Sequence, residues 1–309
     1  MKHSIKITLI LLSMFFVTQL IGLGVVGFYS PHQVEVAVNN TESVNYTTYN
    51  LPYGMDPPQD TNPQINLVSF VFAIAIAVGI MLLLMKVGAE IFLRGWFFIV
   101  VTFAISITLN AALFGFGPAA SIAAFLIALG LSFFKIFKRG IVVHNITELM
   151  IYPGIASIFV PLLNIPTVSI LLILISIYDM YAVWHSGFMQ KMAKYQMEKV
   201  RVFSGFFVPY LGKEQREMIA KAKKSKKKDN KKMKVNIALL GGGDVVFPII
   251  LAGVVLHTWG LIPALIISIG ATIALGLLFY YSEKGKFYPA MPFISAGCFI
   301  ALGIAYLIH

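Results

Sequence analysis

The sequence predicts an all-α polytopic membrane protein with about nine transmembrane helices, and three observations lead to that class. Of its 309 residues, 58% are hydrophobic and only 12% charged, with a mean hydropathy of +0.83. A soluble domain carries about 25% charged residues. Apolar runs recur along the whole chain at lengths near the roughly 20 residues a helix needs to cross a bilayer. The net charge of +11 is concentrated: residues 186–234 hold 15 Lys/Arg against 4 acids, and the rest of the chain balances 9 against 9. A basic segment beside membrane spans answers to the positive-inside rule and to anionic lipid headgroups rather than to a nucleic-acid groove. The single cysteine, Cys298, excludes an intrachain disulfide framework and a cysteine-rich metal site.

The first span is expected at about 7–28, after Lys2 and Lys6. Its apolar run is longer than the roughly 7–15 residues of a signal peptide, and no A-x-A-like site follows, so a retained helix is expected. Residues 30–64 are polar, hold four acids (Glu35, Glu42, Asp56, Asp60) and no Lys or Arg, and read as an exported loop. Asn39 and Asn45 begin N-x-T sequons there. Further spans are expected at about 65–85, 96–113, 121–134, 149–163 (short, with Pro153 and Pro161) and 167–185. The basic stretch 186–234 contains an apolar patch, Phe203–Leu211, suited to the headgroup layer. It also contains a lysine-dense tract, Lys221–Lys234, whose composition favours disorder. Spans at about 235–256, 261–281 and 289–308 complete the chain. Three parts are thus expected: helices one to six with the exported loop in 1–185, a basic cytoplasmic loop in 186–234, and helices seven to nine in 235–309.

Charge placement orients these spans. With a cytoplasmic amino terminus, the connections after spans two, four, six and eight carry Lys86/Arg94, Lys135/Lys138/Arg139, the basic loop and Lys284/Lys286. The opposite connections contain no Lys or Arg, which predicts a multi-pass protein of the cell membrane with its carboxyl terminus outside.

Two carboxylates interrupt the apolar spans: Asp179 in the sixth and Asp244 in the seventh, after Gly241, Gly242 and Gly243. A charge at a helix centre costs about 2.5–3.5 kcal/mol to insert, so each is a candidate functional residue. If both spans are helical to their boundaries, Asp179 lies about 9 Å and Asp244 about 15 Å below the cytoplasmic side. Antiparallel helices can therefore face the two carboxylates at one level. Two close carboxylates in low dielectric share a proton. One can then deprotonate a water while the other protonates a carbonyl, which is what peptide hydrolysis needs without a metal or a covalent nucleophile. Paired membrane carboxylates also serve ion- or proton-coupled transporters, and a scaffold without chemistry is the third class. A transporter is favoured by an inverted internal repeat, and none is visible in the sequence.

With Tyr178-Asp179, the GxGD segment Gly241–Asp244 and Pro289-Ala290-Met291 all in view, the chain resembles the presenilin and signal peptide peptidase family of intramembrane aspartyl proteases. Prepilin peptidases also use GxGD, without the other two motifs. The resemblance implies a presenilin-like fold and cleavage of transmembrane peptides near the cytoplasmic face. It implies catalysis by Asp179 and Asp244, with Tyr178, Gly241, Gly243, Pro289, Ala290 and Met291 positioning the substrate, and neither cofactor nor metal. Met291 departs from the family's Pro-Ala-Leu, though Met keeps the volume and apolarity. The expected partners are transmembrane peptide substrates and anionic headgroups at the basic loop, with no nucleic acid; a homo-oligomer is left open. His144 is expected in a loop, and Trp184 and His185 as interface anchors.

Overall fold

A computed structural model describes residues 5–38, 42–48, 51–55, 62–117, 119–138, 140–186, 195, 199–200, 202–210, 236–282 and 288–309. Among these, nine helices are long and apolar enough to cross a membrane. In chain order they are α1 (Ile5–Phe28), α2 (Pro63–Val87), α3 (Glu90–Leu113), α4 (Ala120–Phe133), α5 (Ile141–Phe159), α6 (Ile165–Tyr181), α7 (Gly242–Trp259), α8 (Leu261–Tyr281) and α9 (Met291–Ile308). Two small antiparallel sheets accompany them: β1 (His32–Val38) with β2 (Glu42–Thr48), and β3 (Gly205–Tyr210) with β4 (Asn236–Gly241).

Local chemistry explains where the helices begin and stop. Asn62 caps α2 by accepting the Gln64 N–H, with Pro63 in the first turn. Asn164 and Thr167 form a reciprocal capping box at the head of α6. Gly88 ends α2 with φ 75°, a left-handed residue that Gly supplies without a Cβ clash.

Helix α7 is the centre of the bundle. Val245 and every residue from Pro248 to Val255 are buried, packed by α1, α5, α6 and α8. α2 is the opposite case, with Leu67 its only buried residue and an apolar surface of Ile65, Phe72, Ile76 and Leu83 turned outward. In lipid that surface costs nothing, because packing between membrane helices comes from close fit rather than from the hydrophobic effect. Small residues supply the fit. Gly154 of α5 lies against the carbonyl of Ala104 in α3, so even one methyl there would overlap it, and Gly270 of α8 meets Gly297 of α9 in the same way.

Two expectations are corrected. α5 begins at Ile141, eight residues before the expected start, and His144 is a buried helix residue rather than a loop residue. The polar stretch His144–Glu148 escaped a hydropathy reading because its polarity is turned inward: His144, Asn145, Thr147 and one Glu148 oxygen bond inside the protein. Glu148 is fully buried and paired with Lys135, itself 5% exposed. Asp179 and Asp244 are therefore not the only carboxylates in the spans, and Lys135 is not a free boundary charge. At the other correction, residues 236–241 are strand and α7 starts at Gly242. The depth estimated for Asp244 assumed helix from Lys234 and does not apply. The apolar patch at 203–211 supplies β3, the partner of that strand. The lysine tract, Asn39 and Lys284/Lys286 lie outside the described residues.

Candidate active site

Asp179 sits two residues before the end of α6 and is 3% exposed. Its Oδ2 accepts the backbone N–H of Met291 at 3.1 Å, at the first residue of α9. The start of a helix offers unpaired N–H groups to an anion, which is why the Pro-Ala-Met segment and the carboxylate meet there. One turn earlier on α6, Ser176 Oγ bonds Ser295 Oγ of α9 at 2.9 Å and fixes the two helices side by side. The backbone makes the contact with Asp179, so Met291 in place of Leu does not disturb it. Its side chain is 3% exposed, Pro289 is buried beside it, and Ala290 packs on the core.

Asp244 is the third residue of α7 and partly buried. Its helix packs against α6, which carries Asp179. Its Oδ2 lies over Gly241, where an added Cβ would stand 3.1 Å away. The three glycines before it are not equivalent. A Cβ at Gly242 would meet the Tyr152 ring at 2.8 Å and Ser204 Oγ at 3.0 Å, whereas at Gly243 it would meet only Phe247 at 3.7 Å. Gly242, absent from the expected positioning residues, is the most tightly enclosed of the three. Tyr178, by contrast, is 42% exposed beside the buried Asp179. From α1, Gln19 Nε2 donates to the carbonyl of Val245 at 3.1 Å and holds the backbone next to Asp244. Nothing in its local sequence marks that role except a polar residue inside an apolar span.

The β3–β4 sheet ends at this point, and its two edges differ. On β3, Phe207 exchanges both backbone bonds with the Asn145 side chain, at 3.2 and 3.0 Å, and the Gly205 carbonyl faces His144 Nε2 at 2.8 Å. Gly205 and Phe207 thus point away from β4, so Phe206, Val208 and Tyr210 point toward it. With the observed register, Asn236, Ala238 and Leu240 pair inward, leaving the backbone groups of Ile237, Leu239 and Gly241 on the outer edge of β4. Pro209, which has no N–H to offer, lies on the outward side of β3, as expected for an edge. Among the described residues no strand pairs with the outer edge of β4, which runs directly into Asp244, and Leu239 on it is 39% exposed.

Comparison with known proteins bears on this arrangement. Residues 47–309 match the profile of the family described as Signal-peptide peptidase, presenilin aspartyl protease. Comparison with curated proteins returned no match. A solved structure of a presenilin family intramembrane aspartate protease in space group C222 superposes with a TM-score of 0.59 at 18% identity, covering 97% of each chain. One described in the same words in space group P2 gives 0.60 at 17% identity, again over 97% of each. At that identity the likeness concerns the fold, and the family rests on the profile match over most of the chain. No finding favours a transporter. This multi-pass membrane chain belongs to the signal-peptide peptidase and presenilin aspartyl protease family.

Proposed function

We propose that this intramembrane aspartyl protease hydrolyses peptide bonds of transmembrane segments with Asp179 and Asp244 as its acid and base. The observation that carries the reading is the bond between Asp179 and the head of α9, at the end of a helix that packs against α7, whose first turn carries Asp244. One carboxylate takes a proton from water as its oxygen attacks the scissile carbonyl carbon. The other, protonated, gives its proton to the carbonyl oxygen. In the collapse of the resulting gem-diol, the first carboxyl gives its proton to the amide nitrogen as the C–N bond breaks, and the second takes a proton from a gem-diol hydroxyl as the product carbonyl forms, so the pair ends as it began. The test is a purified preparation incubated with a generic transmembrane peptide. New fragments made by wild type and not by Asp244→Ala support the protease; identical traces remove it.

A transmembrane helix hides its amides in its own hydrogen bonds, so the substrate must unwind first. We infer that it adds as a strand to the open edge of β4, which leads to the carboxylates. Proline scanning distinguishes the two edges. Leu239→Pro removes an N–H from the open edge and leaves the β3 ladder intact, so kcat/KM should fall about tenfold with little change in Tm. Leu240→Pro removes a ladder bond and should lower both. Equal behaviour of the two variants would sink the strand-addition reading.

The cytoplasmic amino terminus remains the orientation we propose, supported by the distribution of Lys and Arg. In a Cys298→Ser background, single cysteines at Thr47 and Ser225 should react with an impermeant thiol reagent from opposite sides. Reaction from one side would contradict the odd number of spans between them.

A further inference from the structure

A two-stranded sheet has two edges, and only one of them leads to the carboxylates. An unpaired edge is a template for any extended chain, so an unwound substrate meeting β3 would pair there as readily as on β4. We propose that Asn145 and His144 are specificity-determining positioning residues that close the β3 edge and leave β4 as the one site for the substrate strand, a role that rests on strand addition.

The geometry is that of a side chain standing in for a strand. Asn145 Nδ2 donates to the Phe207 carbonyl at 3.0 Å, and Asn145 Oδ1 accepts the Phe207 N–H at 3.2 Å. A primary amide carries one donor and one acceptor in the same fork that a neighbouring strand would offer, so both outward groups of Phe207 are satisfied. Two residues along, the outward Gly205 carbonyl is taken by His144 Nε2 at 2.8 Å. Pro209 has no N–H, which leaves the remaining outward position of β3 without a donor. The edge that β3 shows to α5 is thus occupied at the Gly205 carbonyl and at both groups of Phe207, and Pro209 adds no donor to it.

The buried ion pair that the catalytic mechanism leaves unused gains a purpose here. Lys135 Nζ lies 3.3 Å from His144 Nδ1 and pairs with Glu148. An ammonium has only donors, so Nδ1 must accept and Nε2 must carry the ring proton. That tautomer is the one that donates to the Gly205 carbonyl. Glu148 holds Lys135 in place one helical turn from His144, on the same face of α5. The pair therefore selects the tautomer that seals β3. α5 cannot drift from this position, because Gly154 further along it rests on the Ala104 carbonyl.

Crosslinking reads directly which edge the substrate occupies. In Cys298→Ser protein carrying Asp244→Asn to trap substrate, a transmembrane peptide with one cysteine near its scissile region is oxidised against Leu239→Cys on β4 or Phe207→Cys on β3. With Asn145 intact, only Leu239→Cys should give the heterodisulfide. With Asn145→Ala, Phe207→Cys should also give it. Asn145→Asp is the second variant, since it keeps the volume and the acceptor for Phe207 N–H but loses the donor; it should open the edge as well. In the active background both variants should lower kcat about tenfold with KM unchanged or lower, the mark of non-productive binding, while Tm stays near wild type. A loss of packing alone would not create a β3 crosslink. Absence of that crosslink in both variants, with kcat unchanged, overturns the clamp and leaves strand addition standing. Failure of Leu239→Cys to crosslink in any background, together with normal turnover by Leu239→Pro, overturns strand addition itself.

Discussion

Asp179→Asn and Asp244→Asn should each lower the rate of transmembrane-peptide cleavage by about a thousandfold or more, and the double variant should be no worse than either single one. Positioned proton transfer contributes about 10²–10⁴ in rate, and in the proposed mechanism one proton circulates through both groups, so removing either breaks the whole cycle. Residues that act as a unit do not show additive losses. The fold should survive. In Asp179→Asn the new amide would retain an oxygen for the Met291 N–H, and exchanging a buried charge for a neutral amide removes a desolvation cost. Tm in detergent should therefore stay level or rise for both variants, which separates lost chemistry from lost structure. Turnover above about one per cent of wild type in either Asn variant would remove the two-carboxylate mechanism.

Composition and the lengths of the apolar runs made the architecture legible, and the particular misses show their limit. A span of some 20 apolar residues is a strong signal because lipid leaves a chain no other way to satisfy its backbone. That signal located the ends of α1 and α8 within two residues. It failed at α5, where His144, Asn145, Thr147 and Glu148 lower the hydropathy of a helix whose polar groups bond inside the protein. It failed again before Asp244, where Asn236–Gly241 is apolar enough for a helix but pairs with β3 instead. The cue was present in the patch at 203–211, too short to span and rich in aromatics, but pairing across the long basic stretch between them has no local signature. The two carboxylates were legible because charge in a membrane is rare. The contact of Asp179 with the head of α9 was legible only through the motif at Pro289-Ala290-Met291, since a backbone N–H leaves no trace in composition.

The tightness of the chain just before Asp244 leads to the second large effect, at Gly242. Gly242→Val should lower kcat/KM by about a hundredfold and Gly242→Ala by about tenfold, while Gly243→Ala should remain close to wild type. A methyl on Gly242 would press on Tyr152 and Ser204 at 2.8–3.0 Å, closer than carbon atoms normally approach. Tyr152 cannot give way: it is 1% exposed, its ring stands edge-on to Phe206 at 5.7 Å, and α5 is pinned two residues on by Gly154. The first turn of α7 must move instead, and Asp244 moves with it. A displacement near 1 Å at a catalytic group costs about a hundredfold, because the reacting atoms leave their attack geometry. Gly243 faces only an ordinary contact, and Ala there favours helix by about 1 kcal/mol, so no rate loss is expected. Truncating the obstructing ring tests the cause. Tyr152→Leu will carry its own cost, but combined with Gly242→Ala it should lose less than the two single losses together. Such a cycle isolates the contact between the two residues. If the losses simply multiply, or if Gly242→Ala cleaves normally, the enclosure of Gly242 does not position Asp244.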